Sequence, residues 1–86
     1  MGIFKRAEEV LFTGKTIKDY GVIDEHRIGI SKFRHSVLLT ERQNKKRIII
    51  KESVVASLGA SVRYFEFDKM GVRKLKEILE DALILM

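Results

Sequence analysis

The 86-residue chain contains no cysteine and no proline. Without cysteine the protein has no disulfide bridges and no thiolate metal ligands. Without proline, glycine provides most of the breaks between secondary-structure elements. No apolar run approaches the roughly 18 residues of a membrane span, and the start "MGIFKRAEEV" lacks the apolar core of a signal peptide. We therefore expect a soluble, cytoplasmic protein, associated with the nucleoid if its source is prokaryotic.

Histidine is scarce, and no pattern of catalytic residues is legible. The only histidines are His26 and His35, whereas a protein metal site needs more ligands at suitable spacing. We predict that both are exposed residues at strand ends, and that the protein holds no metal and no cofactor. No Ser–His–Asp or Cys–His arrangement stands out. The sequence thus predicts no catalytic residue, and a protein that is not an enzyme.

Length and net charge indicate the number of domains and the kind of partner that the protein binds. Eighty-six residues form one domain, 1–86, with no room for two cores. A chain this small buries a modest fraction of its surface, so dimerisation is a reasonable way to bury more. The net charge of +5 suits a polyanionic partner such as nucleic acid or an anionic membrane surface. Glutamine and asparagine are limited to Gln43 and Asn44, whereas Ile, Lys, Arg and Glu are plentiful, which favours a thermophilic source.

One short motif resembles part of a nucleotide-binding loop. The segment "FTGKT" (12–16) matches the end of the phosphate-binding P-loop, whose full pattern needs a glycine five residues before Gly14. That position is Glu9, whose negative charge would oppose a phosphate. The segment also has the pattern of a strand rather than of a loop before a helix. We therefore interpret it as a strand bend or turn.

Most of the chain has the composition of β-strands separated by short turns. Val37 and Leu39 share one face of a proposed strand, because side chains alternate along a strand with a period of two. Turns are predicted at "RQNKK" (42–46) and "LGAS" (58–61). The predicted strands are one or two within 8–24, broken near Gly14 and Gly21, then 26–31, 36–42, 47–58 with a bend near Glu52 and Ser53, and 61–68.

The end of the chain has the clearest pattern, that of an amphipathic helix. Asp68 ends the last strand and can cap the helix by accepting a backbone N–H. From Lys69 onward the apolar residues fall on one helical stripe, which is formed by Val72, Leu75, Ile78, Leu79, Ala82 and Leu83. The sequence predicts an α+β fold, in which about four to five antiparallel strands form a curved sheet followed by one C-terminal amphipathic helix. The helix covers one face of the sheet or pairs with the helix of a partner.

Basic and aromatic residues cluster along the proposed strands and turns. Sequence-tolerant binding of a single strand requires cations that follow the phosphates and aromatic rings on which bases stack. On neighbouring antiparallel strands such residues can form one concave basic face. The alternative is that Phe33 belongs to the core and that the cations at the "RQNKK" turn keep a hairpin tip soluble. The candidate residues are Lys32, Phe33, Arg34, Arg42, Lys45, Lys46, Arg47, Arg63 and Tyr64.

Two segments resemble the PC4/Sub1 transcriptional coactivators, relatives of the plant Whirly proteins. The segment "FRHSVLLTER" (33–42) is similar to their central hairpin: an aromatic and a basic residue, a short turn, an apolar strand and an arginine. The segment "RYFEFDKMGVRKLKEIL" (63–79) resembles their C-terminal signature, in which a short strand and a polar cap lead into a helix with Leu75 and Lys76 in its middle. The two segments contain 10 and 17 residues of the 86-residue chain.

The resemblance implies binding of single-stranded DNA by the sheet and dimerisation through the helices. By position, Phe33 would stack on a base, and Arg34, Arg42 and Arg63 would contact phosphates. The implied dimer interface comprises Leu75, Leu79, Ala82 and Leu83. The chain departs from the family pattern where Ser36 replaces a basic residue and where Lys45 lies near the place of a second aromatic. Tyr64 would then supply the missing stacking face. The segment between Arg42 and Arg63 is also longer than usual, and residues 1–25 match nothing in the family.

The leading hypothesis is a homodimer that binds single-stranded DNA, or RNA, largely independently of sequence, in transcription, replication or repair. A second hypothesis is a pleckstrin-homology-like half-barrel that binds acidic lipid head groups or a protein through its basic face, without binding nucleic acid. A third is a small subunit whose basic surface contacts a larger complex. Oligomeric state and salt-sensitive affinity for single strands distinguish the first two hypotheses.

Overall fold

A computed structural model describes residues 14–86. The four strands pair in chain order as one antiparallel sheet, β1-β2-β3-β4, and a helix follows the last strand. This arrangement confirms the predicted α+β fold with one C-terminal helix. The predicted strand residues 8–13, and Glu9 of the P-loop comparison, lie outside the described residues. The elements are β1 Lys15–Ile28, β2 Ser31–Arg42, β3 Lys45–Ala56, β4 Gly59–Phe67 and α1 Lys69–Leu85.

Connections of two residues join consecutive strands. The second connection is Gln43–Asn44, whose φ angles are 54° and 63°. Positive φ at both central residues is the geometry that matches the twist of a hairpin, and the predicted turn at 42–46 is confirmed. The predicted strand 26–31 is wrong at its centre, because Gly29 takes a φ of 62° and Gly29–Ile30 is the first connection. The third, at 57–58, comes just before the glycine of the predicted turn 58–61.

The stretch "SKFRHSVLLTER" (31–42) is one continuous strand, β2. The short turn expected after Arg34 from the resemblance is therefore wrong. Each residue of β2 from Lys32 to Arg42 is paired with β3 without a shift in register, and such a ladder leaves no place for a turn. The register of β3 with both neighbours also continues through Glu52 and Ser53.

Strand β1 is irregular but unbroken. Its register with β2 shifts in three places, so that Ile17, Tyr20 and Ile23 are extra residues opposite an otherwise regular partner. Gly21 has a φ of 80° and its backbone N–H donates to Asp19 Oδ1 at 2.8 Å. The predicted break near Gly21 is thus a β-bulge, which bends a strand without ending it. Gly14, with a φ of 81°, immediately precedes the strand.

Alternation along the strands gives the sheet two faces of different chemistry. Paired residues share a face, so the registers assign every position on β2, β3 and β4. We call the first face the basic face; its ionisable residues are Arg27, Lys32, Arg34, Arg42, Lys45, Arg47, Lys51, Asp19, Glu25 and Glu66. We call the second the apolar face; its apolar residues on β2, β3 and β4 include Phe33, Val37, Leu39, Ile48, Ile50, Val54, Phe65 and Phe67.

The described residues bury little apolar surface. Ile49 and Thr40, both on the basic face and each 1% exposed, have the largest fully buried side chains. Helix α1 contacts mainly β3 and β4 and buries none of its own residues. Of the two predicted arrangements, this leaves its apolar stripe available for the helix of a partner. The Cα radius of gyration is 14.6 Å, against about 12 Å for a compact chain of this length. Among residues 14–86 no helix combines the length and apolarity of a membrane span.

Candidate nucleic-acid interface

The nine residues predicted to bind nucleic acid do not share one surface. Within β2, Phe33 lies between Lys32 and Arg34 in sequence and therefore on the opposite face from both. Lys46 and Arg63 share the apolar face with Phe33. The remaining six lie together on the basic face, and they are Lys32, Arg34, Arg42, Lys45, Arg47 and Tyr64. Side chains alternate between the two faces along each strand, so the sequence separates the two sets once the pairing of the strands is known.

Positive charge is concentrated on the basic face. The strand residues that point to this face include seven lysines and arginines and three carboxylates, an excess of four positive charges. The apolar face has an excess of one, with Lys15, Lys18, Lys46 and Arg63 against Asp24, Glu41 and Glu52. A surface with one dominant sign of charge attracts an oppositely charged polymer and raises its association rate. The pairing of the strands thus collects cations that the sequence distributes over β1, β2 and β3.

Two cations share one carboxylate at one end of the basic face. Glu25 of β1 accepts Arg34 Nε at 2.7 Å and Lys32 Nζ at 3.0 Å. Hydrogen bonds from Lys32 and Arg34 lower the pKa of Glu25. The group keeps a net positive charge because two cations face one anion. The Arg34 contact uses Nε, one of the five N–H donors of a guanidinium.

The same arrangement recurs at the other end of the basic face. Glu66 of β4 accepts Arg47 Nε at 2.6 Å and Arg42 Nη2 at 2.8 Å through the same oxygen, Oε1. Ion pairs near a protein surface stabilise a fold by about 0–1 kcal/mol. Their main consequence is to hold the arginine side chains close to the sheet, where they present a fixed array of N–H donors.

The hairpin tip between β2 and β3 presents two lysines to opposite faces. Lys45 is paired with Arg42 and lies on the basic face, whereas Lys46 is paired with Glu41 and lies on the apolar face. Both are exposed, and neither forms an ion pair within residues 14–86. These neighbours have the same side chain and the same charge, and they differ in the face that they occupy.

The two aromatic candidates have different surroundings. Tyr64 is half-buried on the basic face, directly opposite Lys51 of β3. Phe33 lies on the apolar face, where its ring stacks on the His26 imidazole with centroids 5.3 Å apart and an interplanar angle of 8°. One side of the Phe33 ring is therefore covered. Tyr64 is the candidate ring that shares a surface with the clustered cations.

Four polar side chains meet on the apolar face where β1, β2 and β3 adjoin. Asp24 Oδ2 lies 3.0 Å from His26 Nδ1 and 3.2 Å from His35 Nδ1, and His35 Nε2 lies 2.8 Å from Glu52 Oε2. The hydrogen bond with His26, followed by that with His35, lowers the pKa of Asp24. The hydrogen bond with Glu52 is the largest cause that raises the pKa of His35.

The prediction of exposed histidines at strand ends is wrong for His35, whose side chain is 23% exposed in the middle of β2. His26 precedes the end of β1 by two residues and its ring lies 5.9 Å from that of His35. Sequence reasoning missed this cluster because its members come from three strands. The available signal was the Asp24–His26 spacing of two, which places both side chains on one face of a strand.

The residues of the predicted dimer interface lie along one stripe of α1. Leu79 and Leu83 are 53% and 70% exposed, and Leu75 and Ala82 are half-buried. A helix with an apolar stripe normally buries it against another element. No element within residues 14–86 covers this stripe.

No protein-family model, no curated protein and no solved structure matches this chain. The resemblance to the PC4/Sub1 coactivators therefore depends on the two segments quoted above and on the order of four strands and one helix.

Proposed function

We propose that the protein binds single-stranded nucleic acid, DNA in the first instance, along the basic face of its sheet. The observation that carries this proposal is the excess of four positive charges on that face. Each lysine or arginine that neutralises a phosphate releases a condensed counterion, and this release drives binding without regard to base sequence. The mechanism involves no chemistry on the nucleic acid.

The dimensions of the basic face suit an extended strand. Lys32 and Arg42 lie at opposite ends of β2, ten positions apart, which is about 33 Å at roughly 3.3 Å per residue. Several nucleotides fit along that length, and cations of β1 and β3 flank the path. Tyr64 supplies an aromatic ring on the same surface, on which a base can stack.

The exposed stripe of α1 supports a homodimer in this proposal. Pairing of two α1 helices through Leu75, Leu79, Ala82 and Leu83 removes apolar surface from water, which is the main favourable term in association. A dimer also carries two basic faces, so that one long strand can engage both. The second engagement is then intramolecular and raises the overall affinity without any new contact.

The experiment that tests the proposal is fluorescence anisotropy with a labelled oligonucleotide of about 20 bases, single- and double-stranded, at about 50 to 200 mM salt. We expect tighter binding to the single strand. About four phosphate contacts give a slope near −3 for log affinity against log salt. Absence of binding at the lowest salt would refute the proposal. Titration with anionic lipid vesicles would then test the lipid-binding alternative.

Lys45 and Lys46 provide a matched pair of variants. Lys45→Gln removes a cation from the basic face, so we expect weaker binding and a salt slope smaller by about 0.7. Lys46→Gln removes the same charge from the opposite face and leaves the slope unchanged. Equal effects of the two variants would show that the strand is not confined to the basic face.

Variants of Tyr64 and Phe33 test on which face of the sheet the bases stack. Loss of one aromatic platform weakens single-strand binding by about 1–3 kcal/mol, and we expect this loss for Tyr64→Ala but not for Phe33→Ala. Circular dichroism of each variant checks that the sheet persists. If Phe33→Ala weakens binding while the folded Tyr64→Ala variant binds normally, the strand lies on the apolar face instead.

A further inference from the structure

We propose that Asp24, His26 and His35 form a binding site for a divalent transition-metal ion, with Zn²⁺ as its best representative. One candidate ligand atom from each of these three residues lies within 4.8 Å of those of the other two. Two imidazoles and one carboxylate are a ligand set that binds first-row divalent metals. This inference is independent of nucleic-acid binding, because the cluster lies on the apolar face.

A β-bulge brings these ligands together. Ile23 is an extra residue in β1 between Val22, which is opposite Ser36, and Asp24, which is opposite His35. Without the bulge, Asp24 and His26 would point to the basic face, because a shift of one residue reverses the side of every following side chain. Bulges are frequent next to functional sites, where they redirect a side chain. His35 faces Asp24 directly across the two strands.

The positions of the ligand atoms are close to those of a metal centre. Both imidazoles present Nδ1 to the same carboxylate oxygen, at 3.0 and 3.2 Å. Tetrahedral coordination at about 2.0–2.1 Å places ligand atoms roughly 3.3 Å apart. The distances from Asp24 to the two imidazoles, 3.0 and 3.2 Å, already match this value. Small rotations of the side chains within their rotamer wells bring the two nitrogens to the same spacing.

Glu52 and Phe33 hold the two imidazoles in place, as residues beside metal-ligating histidines commonly do. Glu52 Oε2 lies 2.8 Å from Nε2 of His35, the ring nitrogen that does not face Asp24. A carboxylate at that nitrogen fixes the tautomer and increases the basicity of the ligating nitrogen. The parallel Phe33 ring, 5.3 Å from His26, fixes the plane of the second imidazole.

The cluster is open to solvent, so an ion can reach it. The side chains of Asp24 and His26 are 53% and 43% exposed, and that of His35 is 23% exposed. Three protein ligands leave at least one coordination position to water. Oxygen and imidazole ligands favour Zn²⁺, Co²⁺, Ni²⁺ and Cu²⁺ over the hard cations Mg²⁺ and Ca²⁺.

The test uses the full chain without an affinity tag, in which His26 and His35 are the only histidines. Isothermal titration with ZnCl₂ should show one saturable site per chain, and Co²⁺ should produce the visible absorption of a low-symmetry site. In NMR spectra both imidazoles should shift on addition of Zn²⁺. If neither imidazole shifts and no heat appears at about 1 mM metal, the proposal is wrong.

Variants assign the site. We expect His26→Gln, His35→Gln and Asp24→Asn each to weaken Zn²⁺ binding more than about 100-fold, and Glu52→Gln to weaken it about 10–100-fold. Asp81→Asn, a carboxylate removed from the exposed helix surface, is the matched control and should bind as the parent does. Circular dichroism separates loss of binding from loss of fold. Undiminished binding by folded Asp24→Asn and His26→Gln variants would place the ion elsewhere and overturn the proposal.

Discussion

At the scale of single residues, the carboxylates of the basic face determine how strongly that face attracts an anion. Glu25 accepts two cations of β2, and Glu66 accepts one cation of β2 and one of β3. Each carboxylate therefore lowers the potential that a phosphate meets while it orients the cations beside it. The lowered potential weakens nucleic-acid binding, whereas the orientation of the cations strengthens it. Substitution of the carboxylate can therefore separate the two effects.

We predict that Glu66→Gln strengthens single-strand binding at low salt. The amide keeps a hydrogen-bond acceptor for Arg42 and Arg47 but raises the charge of the basic face by one. Glu77→Gln, on α1, changes the net charge equally and serves as the control. Anisotropy at about 50 mM salt measures both variants. An equal gain for the two would show that net charge, and not the basic face, controls affinity.

Alanine variants of Gly14 and Gly21 distinguish the cost of positive φ from the cost of a steric clash. Gly14 and Gly21 have nearly the same φ, 81° and 80°. A Cβ at Gly14 would lie 2.5 Å from the backbone oxygen of Glu41, whereas one at Gly21 would meet nothing within 4 Å. We predict that Gly21→Ala lowers the free energy of unfolding by about 1–2 kcal/mol through φ alone. Gly14→Ala should lower it by at least about 1 kcal/mol more.

Urea denaturation followed by circular dichroism measures both glycine variants. Equal losses would show that the start of β1 moves away from Glu41 and relieves the contact. A larger loss at Gly21 would contradict the account.

At the scale of elements, the junction of β4 and α1 agrees with its sequence pattern. Asp68 has an extended backbone, and its side chain accepts the N–H of Gly71 at 2.8 Å. Its carbonyl accepts the N–H of Val72 at 2.9 Å, the first hydrogen bond of the helix. The cap therefore satisfies donors that a helix start leaves without partners.

We predict that Asp68→Ala lowers the free energy of unfolding by about 1 kcal/mol, because one backbone donor loses its partner. Asp68→Asn is the matched control, since asparagine caps about as well as aspartate. Thermal or urea unfolding monitored at the helical circular dichroism signal provides the measurement. A loss as large for asparagine as for alanine would show that charge, and not capping, is responsible.

At the scale of the whole molecule, residues 14–86 leave many large apolar side chains exposed to water. The helix stripe and much of β1 and β4 are exposed, including Ile17, Ile23, Phe65, Leu79 and Leu83. Exposed apolar patches of this extent mark surfaces that contact other molecules. The dimer proposed above covers the part of this surface that lies on α1.

We predict that the protein is a dimer at micromolar concentration and that Leu79→Lys shifts it toward monomer. A charge in the centre of an apolar helix interface loses burial and must be desolvated without a partner. Lys76→Gln, on the same helix, changes an exposed side chain and should leave the dimer intact. Sedimentation velocity measures the mass. A monomeric parent protein would contradict the helix-mediated dimer.

The sequence by itself determined the elements that local rules control. The polar segment 42–46 predicted a turn, and Asn44 suits its positive φ because a short Asn side chain tolerates the left-handed region. Asp68 predicted a helix start because it can accept backbone donors. The stripe from Val72 to Leu83 predicted the helix because its period is that of a single element. Each of these signals is complete within a few consecutive residues.

Only the tertiary structure decided which residues meet. The sequence places Phe33 beside Lys32 and Arg34, and the strand period separates it from both by turning alternate side chains to opposite faces. The histidine cluster depends on the extra residue Ile23 in β1, which sets the face of Asp24 and His26. The physical reason is that strand register is a property of two chain segments, and a single bulge reverses every assignment beyond it.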